Sequence, residues 1–199
     1  MPTPVASPPS AASTTDESAA TVVSAVTLLV GGARSGKSDL AVQIGGRFDG
    51  PVTFVATALH VDPDMSQRIE RHRAERPAWP TVEAPVALGA ALSTIATADL
   101  VIVDCLTLWV SNLLLNQWSD DDVIQAAREA ATVACNRTGP TVVVTNEVGL
   151  GIHPDTDLGR RYRDLLGRVN AMWAALADQS LLLVAGRAIR LTDPWEYLS

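Results

Sequence analysis

Gly31-Gly32-Ala33-Arg34-Ser35-Gly36-Lys37-Ser38 decides how this chain is read, because it fills every fixed position of the phosphate-binding pattern G-x-x-x-x-G-K-[ST]. The residues before it, Ala25 to Val30, form an apolar, β-branched run. Those after it, from Asp39 to Arg47, place apolar side chains at Leu40, Val42 and Ile44. That context predicts strand, loop and helix, the setting in which the pattern has a mechanism. Backbone N–H groups of the loop wrap a phosphate chain, and the helix N-terminus adds positive potential. Lys37 then neutralises the outer phosphates and the Ser38 hydroxyl completes the coordination of Mg²⁺. The expected ligand is a nucleoside triphosphate, and the whole loop, Gly31, Gly32, Ala33, Arg34, Ser35, Gly36, Lys37 and Ser38, is its expected cradle.

Outward from the loop, apolar segments alternate with amphipathic ones. Strands are expected at 51–58, Leu100–Asp104, Thr141–Asn146 and 181–185, with a short returning strand at 186–191. Helices are expected from Asp62 to Arg76, where Pro77 stops the run, and at 86–98, 106–115, 120–137 and 159–177. Alternation of this kind gives an α/β fold with a mainly parallel sheet, helices on both faces, and ligands outside the carboxyl ends of the strands. With the loop, this is a three-layer P-loop NTPase-like architecture of the RecA-like type. Residues 1–24, rich in Ala, Ser, Thr and Pro, are expected to be a disordered tail, 25–191 a single nucleotide-binding catalytic domain, and 192–199 a C-terminal extension.

Bulk composition excludes some classes. The 199 residues carry a formal charge of −7, a field that repels nucleic acid and anionic membrane. No apolar run approaches the ~20 residues that cross a bilayer. The two cysteines, Cys105 and Cys135, read as reduced core residues of a cytoplasmic protein rather than a disulfide or metal framework.

Several residues are candidates for chemistry. Asp104 ends an apolar strand, as a carboxylate near Mg²⁺ does in such folds, and the plain reading is a helix-capping carboxylate. Glu83 reads equally as a metal or ribose ligand or a solvated carboxylate. His72 shares a helix face with Arg68 and Arg76, four residues to either side. Their charge keeps the imidazole neutral, as a nucleophile toward phosphorus requires; alternatively Glu70 and Glu75 pair with the arginines in solvent. Arg160, Arg161, Arg163 and Arg168 clamp an anionic substrate or form a solvated face.

These segments together resemble the bifunctional adenosylcobinamide kinase/adenosylcobinamide-phosphate guanylyltransferase family. The resemblance runs from Thr27 to about Leu191. It rests on the loop at 31–38, Ala-Thr-Ala at 56–58, Arg-His-Arg-Ala-Glu-Arg-Pro at 71–77 and Thr-Val-Glu at 81–83. Further matches are Asp-Cys-Leu-Thr-Leu-Trp-Val-Ser-Asn-Leu-Leu at 104–114, Thr-Asn-Glu-Val-Gly-Leu-Gly-Ile-His-Pro at 145–154 and Arg-Asp-Leu-Leu-Gly-Arg-Val-Asn at 163–170. It departs from the family in the spacing of 76–83, one residue short, and at Pro80 and His153.

The resemblance implies that ATP or GTP phosphorylates adenosylcobinamide, and that GTP then guanylylates a histidine, which passes GMP to the cobinamide phosphate. It implies His72 as that histidine, and guanine-nucleotide contacts from Ala56, Thr57, Ala58, Arg73, Ala74, Glu75, Arg76 and Glu83, with Asp104 near the Mg²⁺. A homotrimer is a further expectation of the resemblance. The rival readings are another small-molecule kinase on the same fold, which needs no histidine, and a nucleotide-dependent regulatory ATPase or GTPase.

Overall fold

A computed structural model describes residues 25–59, 73 and 76–198. The expected tail at 1–24, and His60, Arg68, Glu70, His72, Ala74 and Glu75 with most of the expected helix from Asp62 to Arg76, lie outside the described residues.

Among the described residues the elements run β1 (Val26–Gly31), α1 (Lys37–Gly46), β2 (Val52–Ala56), β3 (Thr81–Glu83), α2 (Leu88–Thr94), β4 (Leu100–Asp104), α3 (Leu106–Leu115) and α4 (Asp120–Cys135). They continue with β5 (Thr141–Asn146), α5 (Asp157–Leu176), β6 (Gln179–Val184), β7 (Arg187–Leu191) and a 3₁₀ turn at Pro194–Tyr197. One sheet takes all the strands in the order β3-β2-β4-β5-β1-β6-β7. Every pairing is parallel except β6 with β7. The doubly covered α/β fold expected from the sequence is the one observed.

Strand residues alternate between the two faces. Val101 and Val103 of β4 point into a core shared with Leu88, Trp109, Val123, Leu166 and Trp173 of the helices α2 to α5. Leu100 and Ile102 point the other way, toward Ala41 of α1, Phe54 and Leu183. Burial on both faces is why β1 and β4 read as unbroken apolar runs.

Three sequence expectations shift. The prolines at 77 and 80 give no sign of a strand between them and Glu83, yet Thr81–Glu83 pairs in parallel with β2. Pro80 does not obstruct this, because its carbonyl accepts from Phe54 N at 2.9 Å. The helix expected over 86–98 is confined to Leu88–Thr94. Arg137, 7% exposed, reaches from beyond α4 and donates to the carbonyls of Leu92, Ile95, Ala96 and Asp99 at 2.8–3.3 Å. Satisfying the last carbonyls this way ends the helix a turn early. Cys135, expected in the core, is exposed.

Candidate active site

The register of the sheet lines up the strand ends that matter. Glu83 pairs with Ala56, and Ala56 with Asp104. On the far side of β5, Asn146 pairs with Gly31, the first residue of the phosphate loop. Parallel strands thus deliver Glu83, Asp104, Asn146 and the loop to one edge of the sheet.

The loop is shaped by two glycines. Gly36 sits at φ 95°, a left-handed conformation that admits few side chains, and it starts α1 with no side-chain cap. Helices α4 and α5 differ: Ser119 accepts from Asp122 N and Thr156 from Gly159 N. The N-terminus of α1 therefore keeps its donors for a ligand. At Gly31 a Cβ would lie 2.3 Å from the carbonyl oxygen of Leu183, so β6 leaves no room for a side chain. The turn into β7 closes the loop from the same side, Gly186 N donating to the Ser35 carbonyl at 3.1 Å.

Lys37 is 6% exposed. Its ammonium donates to the Gly32 carbonyl at 2.7 Å and to Ser35 Oγ at 3.3 Å, so it lies folded along the loop. Burial lowers its pKa, and the Asp104 carboxylate works against that shift.

Beside the loop is a cavity of ≈ 340 Å³ lined by Ser38, Asp39, Val42, Gln43, Phe54, Arg76 and Asp104. Arg76 stacks its guanidinium 3.6 Å over the Phe54 ring and donates from Nη2 to Thr81 Oγ1 at 2.9 Å. Its Nη1 is buried and has no hydrogen-bond partner among the described residues. Desolvation, then the charge of Arg73, lowers its pKa, and Asp104 opposes them. A buried, partnerless guanidinium nitrogen at a cavity wall suits an anionic ligand. A wider groove of ≈ 510 Å³ beside the start of α4 is lined by Gln117, Trp118, Asp122, Gln125, Ala126 and Glu129. Two carboxylates and no cation among these residues make it a poor phosphate site.

Of the other expected contacts, Ala56 and Ala58 are half-buried and Thr57 is fully buried. The Thr57 hydroxyl donates to the Cys105 carbonyl at 2.7 Å and accepts from Cys105 N at 2.8 Å, so its side chain braces the strand end that carries Asp104. Arg73 approaches Glu83 at 3.6 Å, both exposed. The Cys105 thiol is pushed up to about 12, first by burial and then by Asp104, and stays protonated at neutral pH, so it is no nucleophile. Among the described residues no three His, Cys, Asp or Glu side chains form a metal cluster. Ser38 and Asp104 nonetheless supply the hydroxyl and carboxylate oxygens that suit Mg²⁺, an ion held by one or two protein oxygens with substrate phosphates completing the shell.

Sequence reasoning gives Asn112 no role. It is 5% exposed in α3 and donates to the carbonyls of Thr57 at 2.8 Å and Pro85 at 3.0 Å. A polar residue inside the apolar run Leu106–Leu115 is the available signal.

Comparison with known proteins identifies the family. The family described as CobU, cobinamide kinase / cobinamide phosphate guanyltransferase, matches residues 27–191. The bifunctional adenosylcobalamin biosynthesis protein CobP of Pseudomonas aeruginosa is 42% identical over 162 residues, covering 80% of this chain and 92% of that protein. The proteins named bifunctional adenosylcobalamin biosynthesis protein CobU from Salmonella typhimurium and Escherichia coli are 40% and 38% identical, each alignment covering 82% of this chain and 98% of the relative. A family match across the whole phosphate-loop domain, with relatives of this identity aligned over most of both chains, shows that the chain belongs to the cobinamide kinase / cobinamide phosphate guanyltransferase family.

Proposed function

We propose that this protein phosphorylates adenosylcobinamide with ATP or GTP and then guanylylates the product with GTP to give adenosylcobinamide-GDP. The observation that carries this reading is the meeting of Ser38, Asp104 and the buried Arg76 guanidinium at one cavity beside the uncapped start of α1. Family membership supplies the acceptor.

In the first step the terminal phosphate lies along the loop N–H groups and Lys37. The cobinamide hydroxyl oxygen attacks the phosphorus, its proton is lost, and the nucleoside diphosphate departs. Loose transition states of this type are stabilised chiefly by fixed positive charge, which Lys37 and Arg76 supply. Mg²⁺, held by Ser38 and Asp104, would offset charge on the phosphate oxygens.

In the second step an imidazole nitrogen of His72 bonds to the α-phosphorus of GTP and pyrophosphate leaves. A phosphate oxygen of cobinamide phosphate then displaces the histidine, breaking the P–N bond and carrying GMP away. His72 and the guanine contacts from Ala56, Thr57, Ala58, Arg73, Ala74, Glu75, Arg76 and Glu83 follow from the family resemblance. The position of Glu83 beside Ala56 and Arg73 supports them. Neutral imidazole is the form required, and two displacements replace one difficult transfer.

No described helix is long and apolar enough to cross a membrane, and we place the enzyme in the cytoplasm, where its nucleotides are. We also assign it a homotrimeric state. Val184 at the end of β6, with Ile189, Leu191, Trp195 and Tyr197 along the β7 edge and the turn beyond it, all 41–78% exposed, are candidates for the subunit contact.

Mass analysis of products from adenosylcobinamide, GTP and Mg²⁺ tests the reading. Both the phosphate and the GDP derivative are expected. A phosphate that accumulates with no GDP derivative would reduce the activity to that of a simple kinase.

A further inference from the structure

The connection from β5 to α5, residues 147–156, is fastened at both ends and bare at its tip. At the near end Glu147 N donates to the Gly31 carbonyl at 3.1 Å, and Glu147 Oε1 accepts from Gly149 N at 2.6 Å. The connection thus departs from the phosphate loop itself. At the far end Arg160 donates to the carbonyls of Pro154 and Asp155 at 3.0 and 2.8 Å, while Arg163 contacts His153 and Asp164. Between these fastenings Leu150 and Ile152 are 85% and 97% exposed. One exposed aliphatic residue needs no explanation. Two on the tip of an anchored loop, next to a phosphate cradle and flanked by arginines, form a contact surface.

We infer that this tip is where the corrinoid acceptor docks: Leu150 and Ile152 pack against the apolar flank of the macrocycle, and Arg163 faces the phosphate of the phosphorylated intermediate. The inference rests on the reaction proposed above, and two observations select that occupant.

The first is place. An acceptor must come within bonding distance of the transferred phosphorus, and Leu150 lies four residues after Asn146, the sheet partner of Gly31. At ~3.3 Å per residue its Cα is at most about 13 Å from that pair. The second is chemistry. A corrinoid presents apolar ring faces and methyl groups with polar arms, and after the first transfer it also carries a phosphate. Aliphatic tips beside a guanidinium match that combination on a chain whose overall charge of −7 otherwise repels anions.

The test compares wild type with Leu150→Ser, Ile152→Ser, the double variant and the conservative Ile152→Leu. Three quantities are read: steady-state kinetics with adenosylcobinamide, corrinoid-free guanylylation by α-labelled GTP, and molar mass by light scattering. Each serine is expected to raise KM for the corrinoid on the order of tenfold, with the double variant higher and Ile152→Leu near wild type. Guanylylation, KM for GTP and molar mass stay unchanged. A corrinoid KM indifferent to the double variant overturns the inference and leaves the proposed reaction standing. A fall in molar mass in the serine variants overturns it in favour of a subunit contact. Wild type that takes label from GTP yet never turns over adenosylcobinamide refutes the proposed acceptor and the docking site with it.

Discussion

The buried side-chain amide of Asn112 donates to the main-chain carbonyl of Thr57 at 2.8 Å, tying α3 to the residue that follows β2. Its second bond, to Pro85 at 3.0 Å, ties the same amide to the segment after β3. Thr57 in turn clasps both main-chain polar groups of Cys105. One asparagine thereby fixes the ends of β2, β3 and β4 relative to one another, and these ends carry Ala56, Glu83 and Asp104.

Asn112→Ala leaves two carbonyls without their donor, at ~1–3 kcal/mol each. A loss of about 2–6 kcal/mol in urea unfolding is expected. GTP binding measured by calorimetry should weaken more than tenfold under conditions where the variant remains folded. Unchanged GTP affinity would mean the brace serves stability alone.

Lys37→Ala removes the cation folded along the loop and is expected to lower the phosphoryl-transfer rate by ~10²–10³, the usual cost of losing a donor aimed at developing charge. Because the Lys37 ammonium bonds to its own loop, at Gly32 and Ser35, thermal unfolding should shift little. Rapid-quench turnover and a melting curve measure the two effects.

Gly31→Ala places a methyl group 2.3 Å from the Leu183 carbonyl oxygen, a contact that one strand must relieve by moving. A destabilisation of ~1–3 kcal/mol is expected, together with loss of triphosphate binding, because the strand that moves carries the loop. Gly32, where an added methyl group would meet open space, tolerates alanine sterically and serves as the control.

Arg137→Lys separates stability from activity. Lysine cannot reproduce the guanidinium that reaches four carbonyls, and Asp99, the last of them, precedes β4 at the end of the sheet away from the phosphate loop. Stability should fall by about 3 kcal/mol or more, while KM for GTP stays within about twofold. Denaturant titration and steady-state kinetics check the pair.

The sequence made β1, the phosphate loop, α1 and β4 legible because each is a local signal: a β-branched run, glycines at fixed spacing, or an apolar strand with a terminal carboxylate. The meeting of Asp104 with the loop at one edge also followed, since parallel strands must present their carboxyl ends together. What escaped was non-local. β3 is three residues long, and its identity comes from pairing with β2 rather than from its own composition. Arg137 reads as the polar end of a helix until α2 is packed beneath it, and Asn112 reads as a blemish in an apolar helix until Thr57 and Pro85 are brought within reach. Thr57 itself was legible as part of a block, yet its hydroxyl is spent on Cys105, which makes it a support for the site as built.

The central claim is a guanylylated histidine, and its most direct measurement is a label chase. Wild type incubated with α-labelled GTP and Mg²⁺, without corrinoid, should retain acid-labile label on the peptide containing His72 and release it as adenosylcobinamide-GDP when adenosylcobinamide phosphate is added. His72→Ala should bind GTP and take no label. Full conversion to adenosylcobinamide-GDP by His72→Ala, or label recovered on another peptide, would contradict the account.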